Sequence, residues 1–256
     1  MKLPENNERT DSSYKIEGRN PVIEALNSGR EIDKILVSSG EKNGSVKKIL
    51  AMAKDRHIVV MEIDRHRLDS LSETGAHQGV IAFAAAKSYS SIGDILNIAK
   101  DKGEPPFIII ADDITDPHNL GSIIRTANAA GAHGVIIPKR NSAGLGPVVD
   151  KSSAGALEFV PVAKVSNLAS AIDALKKSGV WVVGADMDGE NNIYEHDFSG
   201  AVAIVVGSEG KGISRLIKEK CDFLVRIPMY GRINSLNASV AAALMIYEVV
   251  RTRKHQ

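Results

Sequence analysis

The stretch FIIIADDITDPHNLGSIIRTANAAGAHGVIIP, from Phe107 to Pro138, has the pattern of a strand, a helix and a second strand. Its ends are apolar runs of the kind that form strands buried on both faces of a sheet. Between them, Asp116 is a typical helix N-cap, Pro117 suits the first helical position and Gly131 is a typical helix stop. A strand–helix–strand unit of this kind predicts parallel strands and therefore an α/β fold.

Two polar residues inside this predicted helix need an explanation. Asn119 and Arg125 lie among Leu120, Ile123 and Ile124, which have the pattern of a buried face. Ligands in open α/β sheets bind outside the carboxyl ends of the strands, and this helix begins at such an end. The pattern therefore favours a polar site, while a first-turn hydrogen bond for Asn119 and an ion pair for Arg125 stay open as alternatives.

Helix-like and strand-like segments alternate from Gly18 to the end of the chain, which favours a mostly parallel sheet. We divide the chain into a disordered arm at residues 1–12, a compact α/β unit at 13–88, a linker at 89–105 and a second α/β unit at 106–256. The linker assignment rests on polar turns, the lack of a strand pattern and two closing prolines. The middle of this linker is predicted to be a helix.

Bulk composition excludes several classes of protein. The chain has 256 residues with 32 basic and 31 acidic side chains, so its net charge of +1 neither supports nor excludes a nucleic-acid partner. No apolar run approaches the ~18 residues of a membrane helix, and the N-terminal residues lack the apolar core of a signal peptide. A single cysteine, Cys221, fits a reducing cytoplasm. The histidines are scattered without metal-ligand spacing, so we predict no metal.

Two further polar loops follow predicted strands. GSEGKGIS, from Gly207 to Ser214, lacks the lysine of a phosphate-binding Walker loop, but its glycines would let backbone amides approach a ligand. In IPMYGRINSLN, which ends at Asn237, we expect Asn234 or Ser235 to cap the last helix and to direct its first amides at the loop. A plain turn and ordinary capping are the alternatives.

Together these loops resemble a known family. DDITDPHNLGSIIRTANAAG, IVVGSEGKGIS and IPMYGRINSLNASVAAAL are similar to the three motifs of the SpoU-type RNA ribose 2'-O-methyltransferases, in the same order and spacing. The segments KIEGRNPVIEAL and HQGVIAFAA resemble the L30e-like substrate-binding domain that precedes the catalytic domain in some members. The resemblance implies a SPOUT fold with a parallel sheet and a C-terminal trefoil knot, and a cytoplasmic homodimer that packs through its catalytic domains.

The resemblance also implies the site and the cofactor, S-adenosylmethionine (AdoMet). The polar positions of the family's active site correspond to Asn119, Arg125, Glu209, Ser235 and Asn237. The expected cofactor contacts are Gly207, Ile227, Met229, Ser235 and Leu236. We expect Arg125 to stabilise the developing alkoxide and not to accept the proton, since an arginine keeps its proton to about pH 12.5.

The expected reaction is AdoMet-dependent 2'-O-methylation of a guanosine ribose in 23S rRNA. A tRNA ribose methyltransferase, a resistance methyltransferase acting on 23S rRNA and a non-catalytic RNA-binding ribosome-assembly protein are the alternatives. RNA selectivity would depend on cations of the first unit, unless these are merely solvated surface charges. The candidate cations are Lys15, Arg19, Lys47, Lys48, Arg56, Arg65 and Arg67.

Overall fold

The computed structural model describes residues 15–40, 44–233 and 235–254, so the predicted disordered arm at 1–12 lies outside the described residues. The chain divides into two compact units. One contains the residues up to Ser88 together with 145–147, and the other contains 89–144 and the residues from Val148 onward. Both units combine helices with a sheet, so the fold class is α/β, as predicted.

In its described residues, the first unit has a four-stranded sheet and three helices. Its elements are β1 (Lys15–Glu17), α1 (Arg19–Asn27), β2 (Ile32–Ser38), α2 (Gly44–Asp55), β3 (Val59–Ile63), α3 (Arg65–Leu71) and β4 (Val80–Ala84). The strand order is β1-β4-β2-β3. Strands β2 and β3 are parallel, but β4 runs antiparallel to β1 and β2, so this sheet is mixed and not mostly parallel. Fully buried Val22, Ile35 and Ile49 belong to one core that joins α1 and α2 to the sheet.

The second unit is built around a seven-stranded sheet in which every pair of neighbouring strands is parallel. Its strands are β5 (Phe107–Ala111), β6 (Gly134–Pro138), β7 (Val162–Val165), β8 (Trp181–Ala185), β9 (Asn191–Asn192), β10 (Val202–Val206) and β11 (Phe223–Arg226). The remaining helices are α4 (Ile92–Lys102), α5 (Pro117–Ala129), α6 (Pro147–Ser152), α7 (Leu168–Lys177), α8 (Arg215–Lys220) and α9 (Ala238–Lys254). All residues of β5 and β10 are buried, as their apolar sequences predict.

The predicted caps of α5 are present. Asp116 is the N-cap and accepts a hydrogen bond of 2.9 Å from the backbone amide of His118, and Pro117 is the first helical residue. Beyond the end of the helix, Gly131 adopts a positive φ of 74°. The local sequence therefore determines where this helix begins and ends.

The segment 89–105, expected to be a linker with a helix in its middle, contains the helix α4 and groups with the second unit. Its helix α4 begins with a capping box at Ser91 and packs on the sheet of the second unit. Ile95 is fully buried in the same core as Ile108 and Ile136, and a Cβ on Gly134 would lie 2.6 Å from it. Polar turns flank this helix, but its apolar face is a structural part of the unit.

The strand order β7-β6-β5-β10-β8-β11-β9 determines which loops meet. Strand β8 precedes β10 in the chain yet lies between β10 and β11, so the chain passes β8 on its way from β10 to β11. This crossing is in keeping with the trefoil knot that the resemblance implies, and the knot itself stays a prediction. Parallel strands end at the same edge, so the loops after β8, β10 and β11 are neighbours there.

Candidate functional site: a cleft at the carboxyl ends of the strands

One cleft lies at this edge of the second unit. It is walled by the segments that follow β8, β10 and β11, by Lys218 of α8 and by the start of α9. The lining residues are Ala185, Asp186, Met187, Asp188, Val206, Gly207, Ser208, Gly210, Lys211, Gly212, Lys218, Ile227, Met229, Ser235, Leu236, Ala238 and Ala241. Segments distant in sequence therefore form a single concave surface.

The loop after β10 folds back on itself, and Gly207 makes this possible. The amide of Ser208 donates to the carbonyl of Gly212 at 3.1 Å, and the amide of Gly212 donates in return at 2.9 Å. A Cβ on Gly207 would lie 2.0 Å from the carbonyl carbon of Gly212 and 2.2 Å from the amide of Ile213. Only glycine fits there, because backbone occupies the space that a side chain would need.

All five predicted cofactor residues line the cleft: Gly207, Ile227, Met229, Ser235 and Leu236. The wall has apolar side chains that suit the flat adenine base of AdoMet, and charged groups that suit the ammonium and carboxylate of its methionine part. In addition, the hydroxyl of Ser208 is buried and has no hydrogen-bond partner among the described residues. A buried hydroxyl without a partner is unfavourable, so this atom also fits a site that a polar ligand completes.

Three of the predicted polar residues form one hydrogen-bonded cluster. The side-chain amide of Asn119 donates to Glu209 Oε1 at 3.0 Å, and the amide of Asn237 donates to Asn119 Oδ1 at 3.0 Å and also to Glu209 Oε1. Glu209 Oε1 accepts a further hydrogen bond of 3.4 Å from the backbone amide of Ala238. Glu209 acts here as an acceptor that ties α5, the loop after β10 and the start of α9 together.

Asn237 is the N-cap of α9. Its Oδ1 accepts hydrogen bonds from the amides of Ser239 and Val240 at 2.9 and 3.3 Å. The prediction that Asn234 or Ser235 caps this helix is therefore wrong for Ser235, which lies before the cap and lines the cleft, and Asn234 lies outside the described residues. The side-chain amide of Asn237 thus has two roles: Oδ1 caps α9, and Nδ2 donates hydrogen bonds to Asn119 and Glu209.

Arg125 is not part of this cluster. It is exposed on α5, six residues after Asn119, which places it about 120° around the helix and about 9 Å along its axis. Among the described residues it has no ion pair or hydrogen bond, so the alternative of a structural ion pair within the chain is not supported. Its guanidinium is available to a ligand or to a second subunit.

The sequence interpretation missed the part of the wall that follows β8. Asp186 belongs to it, next to Ala185 at the end of β8, and Lys218 of α8 pairs with Asp186. A carboxylate directly after a buried strand is a local signal. Its relevance to the cleft depends on the position of β8 between β10 and β11, which the order of segments along the chain does not reveal.

The thiol of Cys221 does not line the cleft. Burial raises the pKa of the Cys221 thiol to about 12, so it stays protonated and unreactive at neutral pH. Among the described residues, no three histidine, cysteine or acidic side chains are grouped as metal ligands. None of the described helices has the length and apolarity needed to span a membrane.

Comparison with known proteins supplies the family. The SpoU rRNA methylase family model matches residues 106–247, and the model of the RNA 2'-O ribose methyltransferase substrate-binding domain matches residues 15–90. The putative TrmH family tRNA/rRNA methyltransferase YacO of Bacillus subtilis is 47% identical over 92% of this chain and 94% of its own length.

Solved structures agree with this family. The AdoMet complex of the SpoU methyltransferase AviRb from Streptomyces viridochromogenes matches with a TM-score of 0.61, 26% identity, 98% of this chain and 96% of that chain. The AdoMet-bound rRNA methyltransferase of Sinorhizobium meliloti has a TM-score of 0.57 and 25% identity over 96% of this chain and 90% of that one. The TrmH/SpoU tRNA-modifying enzyme of A. aeolicus has a TM-score of 0.54 and 29% identity over only 59% of this chain and 77% of that one.

A parallel sheet with a cleft at its carboxyl edge, a preceding substrate-binding unit and these matches lead to one conclusion: the chain belongs to the TrmH/SpoU family and is an AdoMet-dependent RNA 2'-O-ribose methyltransferase.

Proposed function

We propose that the substrate is 23S rRNA and that the product is a 2'-O-methylated guanosine, the reaction of RlmB-type enzymes. The presence of the first unit is the observation that carries this proposal. The structural relatives described as an rRNA methyltransferase and as AviRb match 96–98% of the chain, whereas the tRNA-modifying relative matches 59%. A separate substrate-binding unit suits an RNA target that the catalytic cleft alone does not select. An rRNA-modifying enzyme of this kind acts in the cytoplasm.

Few of the seven candidate cations are free for such contacts. Lys15 pairs with Glu73 at 2.6 Å, and the Arg56 guanidinium donates to three backbone carbonyls at the end of α1, including that of Leu26 at 2.9 Å. These two are structural. Arg19 also donates, to the carbonyl of Gln78. Of the seven candidates, those that are exposed and have no internal partner among the described residues are Lys47, Lys48 and Arg67.

In the catalytic unit, different residues have different roles in methyl transfer. AdoMet supplies a methyl group that its sulfonium already activates. As the ribose 2'-oxygen bonds to the methyl carbon, the bond from that carbon to sulfur would break to leave S-adenosylhomocysteine, and the hydroxyl proton would pass to water or an RNA phosphate. Arg125 would stabilise the charge that develops on the oxygen. The cluster of Asn119, Glu209 and Asn237 sets the geometry where α5 meets α9, and Ser235 provides a hydroxyl at the cleft.

The proposed active form is a homodimer. Val240, Leu244 and Tyr247 are 47%, 38% and 50% exposed and lie on one face of α9 by their helical spacing. A run of exposed apolar side chains on a long helix is typical of a protein interface. Burial of this face by a second copy would bring α5 of the partner subunit near the cleft, because α5 and α9 pack together within one chain. Arg125 would then act in its own subunit or across the interface.

Direct methylation assays test the substrate. The enzyme, with radiolabelled AdoMet, should label isolated 23S rRNA and leave bulk tRNA unlabelled. A mass-spectrometric map of ribose methylation should show the loss of one 2'-O-methylguanosine of 23S rRNA in cells that lack this gene. Labelling of tRNA instead, or the loss of a tRNA methylation, would establish the tRNA alternative.

A further inference from the structure

A carboxylate and an ammonium group from two different elements meet in the wall of the cleft. Asp186 follows β8 and Lys218 lies on α8, and their side chains form an ion pair of 2.5 Å. The Asp186 side chain is only 6% exposed, and its Oδ1 also accepts a hydrogen bond of 3.0 Å from the amide of Asp188. Both partners line the cleft. The carboxylate is thus held in one orientation by two donors, with further acceptor capacity left on both oxygens.

This pair and Asn119 lie on opposite sides of β10. Asp186 follows β8 and α5 follows β5, and these two strands are ~10 Å apart for a spacing of ~4.8 Å between neighbours. The methyl group must lie near the reacting hydroxyl, and Asp186 therefore faces a part of the cofactor other than the sulfonium. Ala185 is the last residue of β8, and Ile227 follows the neighbouring strand β11. Together they give this side of the cleft an apolar wall suited to an adenine ring.

The ribose is the part of the cofactor that adjoins the adenine. Its two hydroxyls form a vicinal diol, which donates to a carboxylate and accepts from an ammonium group. An acidic side chain that binds ribose hydroxyls beyond a strand end is a recurring solution in nucleotide-binding α/β folds. We propose that Asp186, oriented by Lys218, binds the ribose hydroxyls of AdoMet and selects ribose over deoxyribose cofactors. This inference rests on the assignment of the cleft to the cofactor.

The test measures ligand binding by calorimetry without RNA. The probes are S-adenosylhomocysteine, its 2'-deoxy and 3'-deoxy counterparts, and 5'-methylthioadenosine, which keeps the ribose but lacks the amino-acid part. Asp186→Asn should weaken S-adenosylhomocysteine and 5'-methylthioadenosine by a similar factor of about 10–100, as expected for a hydrogen bond to a charged group. For at least one deoxy counterpart, the variant and the wild type should bind within about twofold, because that ligand has no hydroxyl for the carboxylate to accept from.

Asp173→Asn is the matched control. Asp173 pairs with Lys220 of the same helix α8 at 2.7 Å but does not line the cleft. If the Asp186–Lys218 pair merely anchors α8, both variants should lower the melting temperature, and neither should show dependence on the ribose hydroxyls. This result would overturn the proposal. So would a loss for S-adenosylhomocysteine that is absent for 5'-methylthioadenosine, since it would assign Asp186 to the amino group of the methionine part.

The wild-type protein provides a test that does not depend on folding of a variant. At least one deoxy counterpart should bind about 10-fold or more weakly than S-adenosylhomocysteine, and equal affinity for all three would refute the inference. Failure of the rRNA assignment would leave these results unchanged, because no RNA is present. If the wild type bound no S-adenosylhomocysteine at all, the assignment of the cleft itself would be wrong.

Discussion

The side-chain amide of Asn119 donates a hydrogen bond of 3.0 Å to the carboxylate of Glu209, although 90 residues separate the two in the sequence. Asn237 completes the contact from the start of α9. Three donors converge on Oε1 of this carboxylate, so we propose that Glu209 holds three segments together and does not remove a proton from the substrate.

Glu209→Gln should therefore lower kcat for RNA methylation by about tenfold or more. The neutral amide accepts more weakly, and hydrogen bonds to charged groups contribute about 1.5–3 kcal/mol. AdoMet affinity, measured by calorimetry, should change by less than about threefold. Glu219→Gln is the matched control, because Glu219 is exposed on α8 and pairs only with Arg215 among the described residues. An unchanged kcat in Glu209→Gln would show that the cluster does not position the reacting groups.

Gly207→Ala should abolish measurable AdoMet binding. A Cβ there would lie 2.0 Å from the backbone of Gly212, so the loop must open and the cleft must lose one wall. Gly200→Ala tests whether any glycine substitution in this unit has such an effect, because a Cβ on Gly200 meets nothing within 4 Å. Wild-type affinity in Gly207→Ala would mean that this loop is not part of the cofactor site.

The sequence predicted those features of the fold that depend on local signals. The caps of α5, the apolar strands β5 and β10, and the glycine loop at Gly207 all follow from residues close to one another in the chain. The family resemblance supplied the polar positions, and Asn119, Glu209 and Asn237 then proved to be in contact.

What the sequence did not reveal depends on long-range packing. Ile95 is buried against β6, so the helix expected in the middle of the linker packs into the core of the second unit. The position of β8 between β10 and β11 brings Asp186 to the cleft, and no periodicity specifies this order. The capping of α9 by Asn237 was missed because several residues in a row before the helix are suitable caps.

Arg125→Lys should reduce methyl transfer to a small fraction of wild-type activity while AdoMet affinity stays the same. A lysine keeps the charge but loses the planar set of donors that can bind an oxyanion and a phosphate together. Arg215→Lys is the control, because Arg215 is 93% exposed on α8. Near wild-type turnover of Arg125→Lys would refute the proposed role.

Mixed dimers determine in which subunit Arg125 acts. Co-expression of Arg125→Lys with Gly207→Ala gives heterodimers in which one chain lacks the arginine and the other lacks the cofactor loop. If Arg125 acts across the interface, the one intact loop is served by the arginine that the Gly207→Ala chain retains, and about half of the activity per dimer should return. If Arg125 acts within its own chain, neither site is complete and the heterodimer should be inactive.

Replacing the three free candidate cations of the first unit by alanine should weaken RNA binding and leave AdoMet binding intact. Lys47, Lys48 and Arg67 are exposed, and each phosphate that they no longer neutralise should flatten the dependence of affinity on salt. The measured quantities are KM for rRNA and the slope of log Kd against log salt. A control that removes Lys100, Lys102 and Lys177, which are exposed in the second unit, has the same charge change, and an equal effect on KM would point to net charge and not to a defined surface.

The last prediction concerns acid stability of the first unit. Burial alone would raise the pKa of Glu17, but hydrogen bonds from the Ser72 and Thr74 hydroxyls and from two backbone amides lower it to about 2. A carboxylate whose folded pKa is depressed stabilises the fold above its unfolded pKa, and this contribution is lost as the pH falls from about 4.5 to about 2.

Glu17→Gln should therefore lower the free energy of unfolding at pH 7, and the difference from wild type should shrink below pH 4.5. The single tryptophan, Trp181, lies in the second unit, so its fluorescence reports that unit, and a circular dichroism change without a fluorescence change reports the first unit. Glu24→Gln, at an exposed position of α1, is the control, and a pH-independent difference between wild type and Glu17→Gln would contradict the role of the charge.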